Sequence, residues 1–461
     1  MRTPTAASSF GRMLPRMVTP PPGPESRRLV RELARYESPG VSTIATGHVP
    51  IVWSRARGAN VMDADGNVYI DMTAGFGVAN VGHANPRVVA AVRRQSKALV
   101  HGLGDVHPND VRARLVRRLA ELAPGGPNKV ILCNTGAEAV EVALKTATLF
   151  TGRTGFLAFE GGFHGQTYGA LAVTSREQFR RPFQGQVFQG VAHAPCAYCY
   201  RCPLGLTYPD CGVACLKSVE ELLDHPPAHV GPIAAVIVEP VQGREGEKAP
   251  PPEWLPRLKE ACSRRGVLLI LDEMITGFGR TGRRFAAGHW NVEPDLLCVG
   301  KSMAGGLPMS ACIGRTEVMD AWRYDKGDAP HSSTFMGHPL GAAAALAAID
   351  EMERLRLPER AALLGARALR RLQEMRARHP VVGDVRGLGL MLGVELVKDR
   401  RTKEPASEEA MAVTGRALEG GVIFLGGGPN GNVISLTPPL VITRRQLDHA
   451  LDVLDRSLGG V

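Results

Sequence analysis

Residues 267–273 read VLLILDE, and residues 295–306 read DLLCVGKSMAGG. Each stretch is a short, continuous apolar run with a charged residue at its end: Asp272 closes the first run, and Lys301 follows the second after one glycine. Continuous apolar runs of this length are typical of strands that are buried on both faces of a parallel sheet. Because parallel strands end at the same edge of a sheet, we expect an acid and an amine to lie together there.

The combination of Asp272 with Lys301 suggests a cofactor. Pyridoxal phosphate (PLP) requires a lysine that forms a Schiff base and a carboxylate that keeps the pyridine nitrogen protonated. A lone buried lysine is more often a salt-bridge partner, so the surrounding residues decide between the two interpretations.

Those surroundings resemble a known family. Residues 272–282, DEMITGFGRTG, resemble the signature of class III aminotransferases. Similar segments follow the family's order from about Pro22 to Leu458: NTGAE at 134–138, FHG at 163–165, EPVQG at 239–243, HSSTF at 331–335 and VRGLG at 385–389. Each segment alone is weak evidence for the resemblance, but all of them in the family's order are strong evidence. The resemblance implies an aspartate-aminotransferase-like α/β fold, in which a large domain with a mostly parallel central sheet is joined to a smaller α/β domain.

The cofactor phosphate has a predicted site at the start of a helix. Thr135, Gly136 and Ala137 lie where a strand passes into a helix, and free backbone N–H groups at such a point bind anions. An ordinary helix cap by Thr135 is the alternative.

Further cofactor contacts are implied by the resemblance. It implies that Phe163 stacks on the pyridine ring and that Asp272 pairs with the ring nitrogen. Ile275 stands where many members carry a glutamine that contacts the ring's phenolic oxygen, and amine-type transaminases resemble this chain there. His164 is expected at the edge of the site, without a role in proton transfer.

Two more contacts concern the subunits and the substrate. The resemblance implies that Thr334 reaches the phosphate of the neighbouring subunit's cofactor, which predicts a homodimer with shared sites. It also implies that Arg386 holds a substrate carboxylate, since a guanidinium binds a carboxylate with two parallel hydrogen bonds. Glu239 is then expected to pair with Arg386 when an ω-amine enters. A permanent structural ion pair between the two is the alternative.

The predicted activity is transamination between an amino acid or ω-amine donor and a 2-keto acid acceptor through a Lys301 Schiff base. A PLP-dependent racemase, epimerase or lyase on the same fold is the alternative. A regulatory or binding protein with a silent site would be expected to lack Lys301 or Asp272, and both are present.

The composition is that of an ordinary globular protein. The chain has 461 residues, 44% hydrophobic and 22% charged, with a net charge of +10. The basic residues are scattered, which does not favour a nucleic-acid surface, and no apolar run approaches the length of a membrane span. The cytoplasm is the expected location.

The chain is expected to divide into four parts. Residues 1–24 contain three arginines and no acid and are predicted to be a disordered tail. Residues 25–71 are predicted to be the N-terminal segment of the small domain, 72–335 the large PLP-binding domain, and 336–461 the C-terminal small domain.

Five of the nine cysteines fall within twenty residues, at Cys196, Cys199, Cys202, Cys211 and Cys215. Thiolates at such spacing can converge on zinc or an iron–sulfur cluster. No histidine completes a standard zinc pattern, and the expected chemistry needs no metal. We therefore predict reduced structural thiols and no metal, with metal or cluster binding as the alternative.

Overall fold

The computed structural model describes residues 10–40, 50–323 and 329–461. Its strands, in chain order, are β1 Trp53–Arg57, β2 Asn60–Asp63, β3 Val68–Asp71, β4 Asn128–Cys133, β5 Gly155–Phe159, β6 Val191–Ala194, β7 Ile233–Val238, β8 Leu268–Asp272, β9 Leu296–Val299, β10 Ser310–Arg315, β11 Val382–Leu388, β12 Met391–Leu396, β13 Val422–Ile423, β14 Leu425–Gly427 and β15 Val433–Leu436.

The α-helices are α1 Pro24–Tyr36, α2 Ala74–Gly77, α3 Pro86–Ala98, α4 Asp110–Leu122, α5 Gly136–Thr151, α6 Tyr168–Val173, α7 Glu177–Arg180, α8 Cys215–Asp224, α9 Trp254–Arg264, α10 Thr316–Met319, α11 Pro339–Arg354, α12 Leu357–Arg378, α13 Ser407–Glu419 and α14 Arg444–Leu458. Short 3₁₀ turns include Cys199–Arg201 and Lys301–Ala304.

A seven-stranded sheet forms the centre of the molecule, in the order β4-β10-β9-β8-β7-β5-β6. Only β10 runs antiparallel to its neighbours, so the expected mostly parallel sheet is confirmed. Leu268 and Ile270 of β8 lie in one buried cluster, whereas Leu269 and Leu271 lie in another. Both faces are therefore covered, which is why the strand reads as an unbroken apolar run.

Two four-stranded sheets flank this centre. One has the order β1-β2-β3-β13, and its last pairing joins Val422 of the C-terminal part to Ile70 of the N-terminal part. The other, β11-β12-β15-β14, is antiparallel and lies wholly in the C-terminal part. A tight turn at Asp65-Gly66 joins β2 to β3.

The predicted domain boundaries stay predictions. One contact bears on the boundary near residue 335, because helix α11 packs on α3, α4 and the Lys301–Ala304 turn. The first helix beyond that boundary thus belongs structurally with the large sheet.

The predicted disordered tail is wrong for residues 10–24. Phe10 is buried, and the amides of Gly11 and Met13 donate to Asn60 Oδ1 at 3.1 and 2.8 Å. Arg16 then pairs with Val68 as an isolated β-bridge. These bonds replace the water that a disordered backbone would need. Residues 1–9 lie outside the described residues.

No helix within the described ranges has the length and apolar character needed to cross a bilayer.

Candidate active site

Lys301 lies just beyond the end of β9, at the first position of its 3₁₀ turn. Its φ of 45° is in the left-handed region, which non-glycine residues rarely adopt and which is common at functional sites. A Cβ on the preceding Gly300 would lie 2.7 Å from Met274 Sδ, so glycine is needed for the chain to turn there. The backbone thus holds the amine at the carboxyl edge of the sheet.

The amine of Lys301 is partly neutral at physiological pH. Burial lowers its pKa to about 8, against the opposing charges of Asp272 and Glu239, and the Arg244 guanidinium lowers it further. No carboxylate among the described residues forms an ion pair with it. A lysine amine with a lowered pKa and no ion-pair partner is available to react.

Asp272 ends β8 opposite Cys298 of β9 and is buried. Its Oδ1 accepts from the Met274 amide at 3.0 Å, and its Oδ2 lies 2.8 Å from His164 Nδ1. Because an ionised carboxylate only accepts, Nδ1 is the donor. His164 was expected at the edge of the site; that prediction is wrong, since His164 is buried against Asp272 and fixes its orientation.

The start of helix α5 offers backbone donors. Thr135 is the N-cap, and its hydroxyl accepts from the Glu138 amide at 3.2 Å. The amides of Gly136 and Ala137 come next and have no acceptor among the described residues, as is usual in a first helical turn. Capping by Thr135 and a free pair of amides therefore coexist.

A cavity of about 480 Å³ opens beside Lys301. Phe163 and Ile275 line it on the side of the large sheet, and residues 425–429, Gly431, Ser435 and Thr437 line it from the C-terminal part. Three more charged side chains face it: Arg176, Arg244 and Glu247. The volume suits a small polar molecule.

Glu239 and Arg386 do not form the predicted pair. Glu239 accepts from the backbone amides of Phe163 and Gly243, each at 3.0 Å. Burial raises the pKa of Glu239, and the charge of Asp272 adds to that effect. Both carboxylate oxygens are thus held by the main chain, so the alternative of a permanent ion pair with Arg386 is wrong, whereas pairing during ω-amine binding stays a prediction.

Arg386 belongs instead to a cluster of the C-terminal sheet. Its Nη1 lies 2.8 Å from both Asp384 Oδ2 and Glu395 Oε2, and its Nε donates to the Gly246 carbonyl at 2.7 Å. The guanidinium packs over the Tyr198 ring at 4.8 Å. Arg386 is not among the residues that line the Lys301 cavity. Its Nη2 is buried and has no hydrogen-bond partner among the described residues, and its predicted role as a carboxylate ligand stays a prediction.

Tyr198 connects this cluster to the cysteine-rich segment. Its hydroxyl donates to Glu395, and Arg201 Nε donates to the same carboxylate at 2.6 Å. Residues 196–202 are therefore tied to strand β12.

The thiols of this segment are free. Cys199, Cys202, Cys211 and Cys215 line a small cavity, and none of the nine cysteines is in a disulfide. Burial and the neighbouring thiols raise the pKa of Cys199 to about 11. Within the described ranges, no three Cys, His, Asp or Glu side chains are arranged to hold a metal ion. The absence of a metal stays a prediction.

Glu247 is a second acid that the sequence did not single out. It is buried, and its Oε2 accepts from the Ser435 hydroxyl at 3.0 Å. Burial raises the pKa of Glu247 to about 8, so this carboxyl is mostly protonated at pH 7. The signal was available in residues 244–248, REGEK, where four of five residues are charged beside an apolar strand.

A doubly covered, mostly parallel sheet with an acid and a lysine at its carboxyl edge defines a PLP-dependent enzyme of the aspartate-aminotransferase fold class. The chain belongs to the class III aminotransferase family, whose model matches residues 42–458.

Two curated relatives differ in activity. An acetylornithine aminotransferase of Methanopyrus kandleri is 42% identical, over 89% of this chain and 94% of its own length. A leucine/methionine racemase of Thermococcus litoralis is 38% identical, over 90% of this chain and 92% of its own length.

A solved structure shares the fold: the PLP-bound amine transaminase from an uncultivated Pseudomonas species, with a TM-score of 0.85 and 33% identity over 92% of this chain and 98% of that one. The predicted family, fold, cofactor and class of reaction are confirmed. This protein is a PLP-dependent aminotransferase.

Proposed function

We propose that Lys301 joins the cofactor as its Schiff-base lysine and carries the α-proton of the substrate during transamination. The observation that carries this is the Lys301 amine, which has a pKa of about 8 and faces the cavity at the sheet edge that also bears Asp272. When bound, the cofactor supplies an electron sink that weakens the bond to that proton.

The residues present fit this cofactor. The free amides of Gly136 and Ala137, with the Thr135 cap, match a phosphate at a helix N-terminus. The buried Asp272 matches a pyridine nitrogen, because a carboxylate favours a nearby cation. Phe163 and Ile275 offer apolar faces in the same cavity. Ile275 has no donor for the phenolic oxygen, so we expect that contact to be missing here.

Each of these residues has one task. His164 holds the Asp272 carboxylate in place, so that the acid keeps its orientation throughout. Lys301 takes the α-proton as a neutral amine and returns it as an ammonium group, which suits a pKa near the working pH.

Lys301→Ala tests the assignment. The variant should keep its fold but lack the visible absorbance of a lysine-bound pyridoxal cofactor. It should lose about 10²–10⁴-fold or more in turnover through the missing acid and base. Wild-type-like turnover of an amine with pyruvate or 2-oxoglutarate would overturn the assignment.

We further propose a homodimer in which Thr334 serves the cofactor of the second copy. Thr334 is exposed and lies outside the residues that line the Lys301 cavity of its own chain. Its main-chain oxygen lies beside Gly104, and His101 contacts Phe335 at 5.3 Å. Exposed apolar side chains are frequent in these two segments: Leu99, Val100, Leu103, Val106 and Phe335. Apolar patches of this kind mark association surfaces. Sedimentation of the wild-type protein as a monomer would contradict the dimer. The cytoplasmic location stays a prediction.

Racemisation is the second candidate, supported by the racemase of Thermococcus litoralis among the relatives. In that reaction the α-proton returns to the opposite face of the same carbon. Incubation of one L-amino acid without a keto acid separates the two: a racemase forms the D-isomer, whereas an aminotransferase stops after one half-reaction.

A further inference from the structure

The cavity beside Lys301 is lined by an arginine, Arg244, that has no ion-pair partner among the described residues. Of the two arginines that line it, Arg176 pairs with Glu245 at 2.6 Å, and Glu245 also pairs with Lys248 at 3.2 Å. Arg244 forms no ion pair and no side-chain hydrogen bond with any described residue. Its guanidinium packs over the rings of Phe163 and Phe179 at 5.1 and 5.3 Å.

The acidic side chains around Arg244 already have other hydrogen-bond or ion-pair partners. Glu239 accepts hydrogen bonds from two backbone amides, and Glu245 forms ion pairs with Arg176 and Lys248. Glu247 is held by the Ser435 hydroxyl and is mostly uncharged at pH 7, because burial raises its pKa to about 8. The charge of Arg244 is therefore open to an anion that enters the cavity.

The position of Arg244 is fixed by its surroundings. Its main-chain carbonyl accepts from Arg176 Nη2 at 3.4 Å and from the Gly428 amide at 3.2 Å. The two aromatic rings leave the guanidinium edge free for a planar partner. Arg244 also acts electrostatically on the Lys301 amine, so both groups face the same space.

We propose that Arg244 binds the carboxylate of the substrate, and that the preferred substrates are amino acids and keto acids rather than amines without a carboxylate. A guanidinium and a carboxylate form two parallel, charge-assisted hydrogen bonds. Arg386 differs from Arg244 in that its Nη1 already pairs with Asp384 and Glu395, and its Nη2 is buried outside the lining of the Lys301 cavity. The inference rests on the proposed function, in that it names the substrate class of the same site.

Binding of a non-reacting carboxylate to the holoenzyme tests the inference without turnover. Calorimetry compares butyrate with butyramide, which has the same shape and no charge. Arg244→Gln should weaken butyrate binding roughly 10- to 100-fold, as expected for a lost hydrogen bond to a charged group, and should change butyramide binding less than threefold. Arg244→Lys should restore part of the butyrate affinity, because the charge returns without the planar fork.

Two control variants identify the residue responsible. Arg114→Gln removes an exposed arginine of α4 that pairs with Asp110, away from the cavity, and should leave butyrate binding unchanged. Arg386→Gln should weaken butyrate less than Arg244→Gln does. Equal butyrate affinity in wild type and Arg244→Gln, or a larger loss in Arg386→Gln, would overturn the inference.

This outcome is separable from that of the proposed function. Arg244-dependent binding of butyrate without amino transfer from any donor would contradict the proposed function alone. Amino transfer together with butyrate binding that ignores Arg244 would contradict this inference alone.

Discussion

The pH dependence of Lys301 labelling should reflect an unusually low pKa of its amine. With a pKa of about 8, roughly a tenth of its amines are neutral at pH 7, whereas an ordinary lysine near 10.4 has roughly one neutral amine in 2,500. Only the neutral form attacks an electrophile, and the neutral fraction of Lys301 at that pH is about 250 times that of an ordinary lysine.

The perturbation is Arg244→Gln. Because the Arg244 charge lowers the pKa of Lys301, its removal should shift the titration of Lys301 to higher pH and slow labelling at pH 7. Asp272→Asn should act in the opposite direction, since the Asp272 charge raises the same pKa.

The assay is pulsed acetylation of the cofactor-free protein between pH 6 and 11, read by peptide mass spectrometry. Exposed Lys97 serves as the internal reference within each sample. Half-maximal labelling of Lys301 at the same pH as Lys97 would refute the argument that burial and Arg244 lower its pKa.

Four further predictions concern single features. Asp272→Asn should lower kcat by about 10²–10⁴-fold, because proton transfer at Lys301 depends on the electron sink, while cofactor affinity changes modestly; an unchanged kcat would exclude Asp272 as the ring partner. Glu247→Gln should be more stable than wild type by about 3 kcal/mol at pH 7 and no more stable near pH 4. The reason is that Glu247 keeps its proton in the native state, whereas in the unfolded chain it loses that proton above pH 4.5. Denaturation midpoints of variant and wild type that keep a constant difference at all pH values would contradict this. Cys199→Ser combined with Cys202→Ser should remain active, and elemental analysis of wild type should find no stoichiometric zinc or iron; about one metal per chain would contradict reduced thiols. Thr334→Ala should weaken cofactor binding by about 1–3 kcal/mol, and heterodimers with Lys301→Ala should contain one site of wild-type cofactor affinity; two impaired sites would contradict sharing.

The sequence predicted strands and helix caps correctly where the local residue pattern alone determines them. The unbroken apolar runs before Asp272 and Lys301 could only be strands covered on both faces, and the structure places them side by side as β8 and β9. Thr135 was likewise recognisable as a cap, since it separates strand β4 from helix α5.

The sequence predicted poorly where a side chain chooses among distant partners. A permanent pair of Arg386 with Glu239 was the expected alternative, yet Arg386 meets Asp384 and Glu395, which flank it in the same hairpin of β11 and β12. His164 was assigned to the edge because nothing near it in the chain shows that Asp272, 108 residues away, is its partner. Residues 10–16 were judged by composition alone, although the bonds that order them come from Asn60 and Val68.

The contact between Tyr198 and Glu395 has a consequence for how the protein is made. The two residues are 197 positions apart, and a ribosome adds about 5–20 residues per second. The segment with five cysteines therefore emerges roughly 10–40 seconds before the strand that fastens it exists. During that interval the thiols of the nascent chain are exposed to the surrounding redox buffer until β12 is complete.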